Sequence, residues 1–400
     1  MLNQAFTTTH THFRMQQKLL ESAIRKGEPL SDALKRSGWT YDDLIYENSM
    51  EKKWRGQRPY FLDDLRAHDS HAPVVSFFSG CGGMDLGLEA AGYRHVALFE
   101  INEIFCKTIR RNRSSWKVFG PPTHSGDISQ FEGIEQTLRL LVRTPFEGLF
   151  VGGPPCQPFS IAANQRFSKS GDNFKRIGFS HEKNGNLLFD FIRLVIEFRP
   201  KAFVIENVPG LRDLDGGEQL QIAIEELKAA GYRVETPFVL SAAQYKIPQQ
   251  RLRLFVVGSR GKGVFKHPMP SEGLVGAGSV LIEKTPNLAN SETRQHKTES
   301  VLRYMMLDYG QRDQLGRVDR LDPTLPSKTV IAGGTSGGGR SHLHPEIPRT
   351  LSVRECARLQ TFPDDYIFVG ASARQFTQVG NAVPPVLGAQ LGAAIRDSYF

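Results

Sequence analysis

Cysteine is scarce in this 400-residue chain, which holds only Cys81, Cys106, Cys156 and Cys356. No two of them stand at metal-ligand spacing, and so few in so long a chain exclude a disulfide framework. Cys106 and Cys356 read as small buried apolar residues. Long apolar runs are lacking as well, since none approaches the roughly eighteen residues that cross a bilayer. The opening stretch, MLNQAFTTTHTHFRMQQ, has no apolar segment of the kind that directs export. These absences predict a cytoplasmic protein with reduced thiols, no membrane partner and no metal. Internal repeats are missing, and the one low-complexity tract is the glycine run in AGGTSGGGRSHLH.

Acid is missing where base is concentrated. The formal net charge is +8. From Lys246 to Pro270 there are six basic residues (Lys246, Arg251, Arg253, Arg260, Lys262 and Lys266) and no acidic one. Between Ser160 and Lys183, Arg166, Lys169, Lys175, Arg176 and Lys183 face only Asp172 and Glu182. Clustering of this kind points to a polyanionic partner. The first seventy residues are nearly balanced, with eleven basic and ten acidic side chains.

Residues 1–71 read as a helical N-terminal extension, because LLESAIRK and LSDALKR space their apolar positions by three and four. Thr40, in Ser-Gly-Trp-Thr, is placed to cap the next helix, and Ala72-Pro73 marks a boundary. From Val74 the pattern becomes short apolar runs separated by helical stretches. VVSFFS, HVALFE, GLFVGG, KAFVIENV and LRLFVVGS read as buried strands. LGLEAAG, INEIFCKTIRRN and LLFDFIRLVIEF read as helices between them. The alternation predicts an α/β fold with a doubly wound, mostly parallel sheet over 72–260. Residues 261–348, rich in Gly, Pro, Ser and Thr, are too long for one loop and read as a small irregular second domain. Residues 349–400 should return to the sheet through VRECARLQ and a closing helix in NAVPPVLGAQLGAAIRDS.

Two segments carry chemistry. FFSGCGGMDLGLEAAG joins a strand to a helix through Gly80, Gly82 and Gly83, which allow close backbone approach to a ligand. Glycine-rich turns also open helices that bind nothing. Glu100, at the end of the next strand and about twenty residues on, stands where α/β sheets hold ribose hydroxyls. Asp127, in a Gly-Asp-Ile step, could accept from an adenine amino group. Together they suggest an adenosine-containing ligand, and the incomplete GxGxxG pattern argues against a dinucleotide. The second segment is GGPPCQPFS, where three prolines stiffen the backbone around Cys156 at a strand exit. That setting suits a nucleophile better than a core cysteine. Glu206, in ENV, ends another strand and suits a proton held on a substrate ring nitrogen. Arg251 and Arg253 in PQQRLRLF alternate on a strand and so share a face; they are either edge charges or anion and base contacts.

These blocks resemble the cytosine-C5 DNA methyltransferase family of bacterial type, over about Val74 to Ile395. FFSGCGG is similar to the family's cofactor turn, GGPPCQPFS to its nucleophile motif and ENV to its glutamate motif. QYKIPQQRLR resembles its arginine motif, and RECARLQTFPDDY and QVGNAVPP resemble its last two blocks. The resemblance implies a Rossmann-like methyltransferase fold using S-adenosylmethionine on double-stranded DNA, with the target base flipped out of the stack. It implies Cys156, Glu206, Arg253 and Arg251 as catalytic residues. It further implies Phe78, Gly80, Gly82, Gly83, Glu100, Ile101, Asp127, Ile128, Pro155, Leu187 and Asn381 around the cofactor. Ile101 departs from the aromatic residue the family often places beside the adenine, and SFFSG departs from its usual acid and small residue.

The stretch from Ser160 to Lys183 would then close over DNA, bringing Gln157, Ser160, Arg166 and Lys169 to it, with Gln249 beside them. By the same resemblance, 261–348 is a target recognition domain. Thr329, Gly333, Gly334, Ser336 and Arg340 are candidate readers of base edges, and backbone positioning alone is the alternative for each. A site of about four to six base pairs fits so small a module. For the extension, docking on the catalytic domain or DNA stands against a helix-turn-helix over Leu30 to Glu47. A monomer is expected. Two other functions stay open, an RNA (tRNA) cytosine methyltransferase and a non-catalytic DNA-binding regulator, as does pairing with a restriction enzyme.

Overall fold

The computed structural model describes residues 2–48, 56–67, 71–155, 187–282, 287–332 and 342–400. Its centre is a sheet in which short apolar runs form β1 (Pro73–Phe77), β2 (Arg94–Phe99), β3 (Val118–Phe119), β4 (Leu149–Gly152), β5 (Ala202–Asn207), β6 (Arg233–Val234), β7 (Phe238–Ser241) and β8 (Leu252–Ser259). The strand order is β3-β2-β1-β4-β5-β8-β6, with β7 also paired to β8. β1 to β5 pair in parallel, and β8 runs antiparallel to β5, β6 and β7. This is the expected doubly wound, mostly parallel sheet.

Alternate residues of each strand feed two separate cores. Val74, Leu149, Val151, Val204 and Val257 belong to one. Val75, Phe77, Phe150, Phe203 and Val256 belong to the other. Successive side chains of a strand point to opposite faces, so both faces must be covered by helices. α3 (Gly83–Ala90), α10 (Val353–Leu359) and α12 (Pro385–Tyr399) cover the first. α5 (Phe131–Leu141), α6 (Leu187–Phe198) and α7 (Glu218–Ala229) cover the second. α4 (Glu103–Asn112) follows β2, with Asn102 capping its first amides at Ile104 and Phe105. In the second core Phe77 meets the rings of Phe99, Phe150 and Phe191 at 5.1–5.4 Å between centroids.

Two expectations about helices change. NAVPPVLGAQLGAAIRDS is not one helix: Asn381 ends α11 (Ser372–Asn381), and α12 begins at Pro385. Proline at the first helical position lacks only an amide that would be unpaired there, so it starts the helix cleanly. The helix-turn-helix over Leu30 to Glu47 does not form. α2 (Leu30–Ser37) ends at Gly38 in the left-handed region, and a single turn at Tyr41–Asp43, closed by Thr40 and Asp43, comes next instead of a second helix.

The extension docks in two places: Leu62 is buried in the first core of the sheet, with Tyr60 and Leu65 packed against it, while its α-helices pack elsewhere. Phe13, Leu20, Leu30, Leu34 and Leu44, from α1 (Leu2–Lys26) onward, form one buried cluster with Val301 and Met305 of α9 (Thr298–Met305). Between 261 and 350 the described elements are small: α8 (Gly278–Leu281), α9, and two-residue strands β9 (Asp319–Arg320) and β10 (His342–Leu343), paired in parallel. Among the described residues no helix is long and apolar enough to cross a membrane.

The tightest helix contact is between α3 and α12. A Cβ on Gly87 would lie 2.3 Å from the Pro385 carbonyl and 2.5 Å from the Ala389 amide. Backbone on both sides leaves no flexible group to yield. Gly87→Ala is therefore expected to destabilise the fold by about 1–3 kcal/mol through overpacking, despite alanine's better helix propensity. Urea unfolding tests this, and an unchanged or raised midpoint would contradict it.

Candidate active site

The strand order reverses between β1 and β4, and ligands of open α/β sheets bind at the carboxyl edge beside such a reversal. Phe77 pairs with Gly152, and Gly152 with Ile205, so the turn after β1, the loop after β4 and the end of β5 lie side by side. Because β8 runs the opposite way, its beginning reaches the same edge, with Leu254 opposite Asn207. Four sequence blocks thus converge.

At the convergence Arg253 Nε lies 2.7 Å from Glu206 Oε1, both side chains largely shielded from solvent. Burial pushes the Arg253 pKa down and the Glu206 carboxylate opposes that shift. The second carboxylate oxygen faces Gly153: a Cβ there would stand 3.0 Å from Glu206 Oε2. Asn207 Nδ2 donates to the Pro154 carbonyl at 3.1 Å, and its Oδ1 accepts the Val208 amide at 2.8 Å. The chain entering GGPPCQPFS is thus pinned to the strand that carries Glu206. Cys156 itself, with Gln157, Ser160, Arg166, Lys169, Gly333, Gly334, Ser336 and Arg340, lies outside the described residues.

The turn after β1 holds Phe78, Gly80 and Gly82 at φ of 56°, 58° and 82°. Gly80 faces open space, and its amide donates to Glu100 Oε2 at 2.7 Å while the Asn102 amide donates to Oε1 at 2.7 Å. Burial nevertheless raises the Glu100 pKa to about 7, against the lowering effect of those amides. Asp127 is half-buried and accepts the Ser129 amide and hydroxyl at 3.0 and 2.7 Å through Oδ1. Ile101 presents an apolar side chain that is 59 % exposed. Pro155 and Asn381 are exposed and Leu187 is half-buried.

Several sequence-derived candidates face elsewhere. Gly83 serves packing, since a Cβ there would meet the Val383 carbonyl at 2.5 Å. The Ile128 side chain is buried in the second core, which leaves only its main chain for a ligand. Gln249 is fully buried: its Nε2 donates to Gln360 Oε1 at 3.0 Å and its Oε1 accepts the Val330 amide at 2.9 Å. Its side chain is therefore scaffold rather than DNA-facing surface. Thr329 is half-buried and donates to the Gln250 carbonyl at 2.6 Å. Arg251 does not share the environment of Arg253. It is buried and donates to the carbonyls of Val330 and Gly380 at 3.1 and 2.8 Å.

Two contributors were not singled out from sequence. Asn207 was visible only as the middle of ENV, and the loop it holds is fifty residues away in the chain, beyond any local pattern. Asp190 on α6 has its pKa raised by burial, then lowered by Arg193 and raised by Asp127, so it stands within electrostatic reach of the Asp127 carboxylate. One acid within the apolar first turns of a helix gives no signal of that.

The Glu100 shift has a measurable sign. The folded carboxyl titrates near 7 and the unfolded one near 4.5, so between these values the unfolded chain binds fewer protons. Stability from this group is then full below pH 4.5 and lost as pH rises towards 7, amounting to about 3 kcal/mol at most. Resistance of the protein to unfolding should fall over that window, and Glu100→Gln should remove this part of the slope. Parallel pH profiles for wild type and variant would refute the assignment.

Comparison with known proteins agrees with this geometry. The family described as C-5 cytosine-specific DNA methylase matches residues 73–397. Type II methyltransferase M.PspPI of Psychrobacter sp. (strain TA137) is 32% identical over 80% of this chain and 78% of its own length. M.NgoFVII of Neisseria gonorrhoeae is 33% identical over 81% and 86%. Among solved structures, a prophage-encoded E. coli protein described as a DNA modification methyltransferase superposes with a TM-score of 0.67 at 23% identity, over 82% of this chain and 99% of that one. The Dnmt2 methyltransferase of S. pombe superposes at 0.55 and 18%, over 82% and 99%; both likenesses concern the fold. The chain belongs to the C-5 cytosine-specific DNA methylase family and is a DNA cytosine-5 methyltransferase.

Proposed function

We propose that the enzyme methylates carbon 5 of a flipped cytosine in a short duplex sequence, as the modification partner of a Type II system, with Cys156 as nucleophile. The observation that carries this reading is the Arg253–Glu206 pair at 2.7 Å, beside the Gly153-Pro154 approach to Cys156.

S-adenosylmethionine, when bound, supplies an electrophilic methyl group on its sulfonium. The residues present fit it. Gly80 leaves room for close approach, Glu100 offers a buried carboxylate to ribose hydroxyls, and exposed Ile101 offers an apolar surface to the adenine. Phe78, Asp127, Pro155, Leu187 and Asn381 stand around the same edge in this reading.

Within the pocket Cys156 adds as thiolate to carbon 6 of the cytosine, forming an S–C bond and moving electron density to carbon 5. Glu206 holds a proton on ring N3, which neutralises the negative charge that develops there. Arg253 holds Glu206 in place and shares that charge. After methylation at carbon 5, loss of the carbon 5 proton returns the electron pair and expels the thiolate. Arg251 acts at one remove, by fixing Gly380 and Val330 around this edge. Residues 261–348 would read the target, with Thr329 half-buried at the joint and Gly333, Gly334 and Arg340 nearby in sequence. The family and the relatives named above favour DNA over RNA and catalysis over passive binding.

Incubation with duplex DNA containing 5-fluorocytosine and S-adenosylmethionine is the direct test. Wild type should form a denaturation-resistant adduct and Cys156→Ser none, while Arg253→Ala should slow transfer by about 10²–10³-fold. Adducts on tRNA only, or on neither, would overturn the reading. Methylation sequencing of DNA from an expressing host should show a site of about four to six base pairs; a longer site, or none, would count against the recognition assignment.

A further inference from the structure

We propose that Tyr46 of the N-terminal extension and Arg320 of β9 are positioning residues for DNA recognition, so that the extension is a working part of the recognition module. The inference rests on the assignment of 261–348 as the target-reading region.

The Arg320 guanidinium is fully buried between two rings, 3.6 Å from the Tyr46 centroid and 3.8 Å from that of Tyr309. In its plane, Nε donates to the Pro345 carbonyl at 2.9 Å and Nη1 to the Leu307 carbonyl at 2.7 Å. Nη2 has no hydrogen-bond partner among the described residues, and no carboxylate there forms an ion pair with Arg320. A buried cation without a direct ion pair is expensive; here two π faces and two carbonyls offset it, with the Glu346 and Asp308 carboxylates acting from further off. An apolar residue would fill the space more cheaply. What the planar fork adds is geometry, because it fixes the segments at Leu307 and Pro345 relative to each other.

Tyr46 does the same from the other chain end. Its hydroxyl is placed on the carbonyls of His344 and Ile347, at 2.8 and 3.2 Å. Tyr41 donates to the Pro348 carbonyl at 3.3 Å, and the Glu47 amide donates to the Met305 carbonyl at 2.8 Å. Asp42 lies 3.6 Å from Arg349. The extension therefore grips residues 344–349, which follow β10 directly, and Arg320 is the β9 partner of Leu343. The family match begins only at residue 73, so this grip is added to the family's machinery rather than part of it.

The test uses the full chain, with steady-state methylation of a cognate duplex and of duplexes carrying one altered base pair. Tyr46→Ala and Arg320→Met should raise KM for cognate DNA by about tenfold or more and shrink the cognate-to-altered ratio. The kcat at saturating DNA and the dissociation constant for S-adenosylmethionine should hold within about twofold. Tyr46→Phe keeps the stack and loses the hydroxyl shared between the His344 and Ile347 carbonyls, so it should fall between wild type and Tyr46→Ala and supplies a variant that folds. Arg320→Lys keeps the charge without the planar fork and should not rescue. Unchanged KM and ratio in folded Tyr46→Phe and Arg320→Lys would overturn the inference, as would a uniform loss of kcat, DNA binding and cofactor binding matching the misfolded fraction. A wild-type enzyme that methylates no duplex, or keeps its target after exchange of 261–348, would overturn the underlying assignment and the inference with it.

Discussion

The reversed direction of β8 is the constraint on which the active edge depends. A parallel β8 would have delivered Arg253 to the far edge of the sheet, leaving Glu206 without a cation in a shielded site. Run antiparallel, and in register with Glu206 opposite Phe255, the strand starts where the parallel strands end. It places one arginine on Glu206 and, two residues earlier, a second on the joint with the recognition region. Arg251 and Arg253 look equivalent by alternation. They differ because Arg251 precedes the first residue of β8, where the chain is no longer bound to the pleat and turns towards Val330 and Gly380.

That joint illustrates a wider feature of the chain beyond residue 260. Little of its backbone is in helix or sheet, so its buried carbonyls and amides must find partners among side chains. Long planar donors meet the requirement several at a time. Arg354 donates to the carbonyls of Ala289, Pro363 and Tyr366, and Asn290 bonds both the amide and the carbonyl of Phe368. Arg349 and Glu355 form a two-pronged pair at 2.8 Å, and the Glu355 carboxyl is held down to about 2 by Arg349 and His344 despite its burial. Tyr366 then donates to the Cys81 carbonyl at 2.6 Å. Arg354 therefore links residues 261–348, at Ala289, to the glycine turn after β1. The buried arginines here are substitutes for regular secondary structure.

Much of the catalytic half was legible in the sequence because its signals are local. A parallel strand covered on both faces is a continuous apolar run, so VVSFFS, HVALFE, GLFVGG and KAFVIENV stood out, and each functional motif sits at the end of one. α5 and α7 carry a local signal, with Phe131, Ile134 and Leu138, then Leu220, Ala223, Ile224 and Leu227, at helical spacing, but no chemical motif. The rest of what escaped has no local signature. Gln249 and Arg251 carry the polarity of surface residues, and only the tertiary fold turns them inward. The glycines of the cofactor turn looked alike, yet Gly80 opens space while Gly83 and Gly87 close it against Val383 and Pro385. Apolar spacing marked the faces of the extension's helices without saying which surface they would meet.

That surface is set by a shortage. Phe265, Ala277, Val280, Leu281, Leu321 and Val330 anchor residues 261–348 in the first core of the sheet. The separate cluster away from it is only Tyr304, Leu307, Val318 and Leu343, little apolar material to hold loops against their conformational entropy. Val301 and Met305 on the other side of α9 would be left facing water, at about 1.5–3 kcal/mol each. The extension removes that exposure by supplying Phe13, Leu20, Leu30, Leu34 and Leu44. Its near-neutral charge, weak grounds for a DNA-binding arm, is what an internal packing partner should have. A region built from loops has little core away from the sheet, and the first helices of this chain supply part of what is missing.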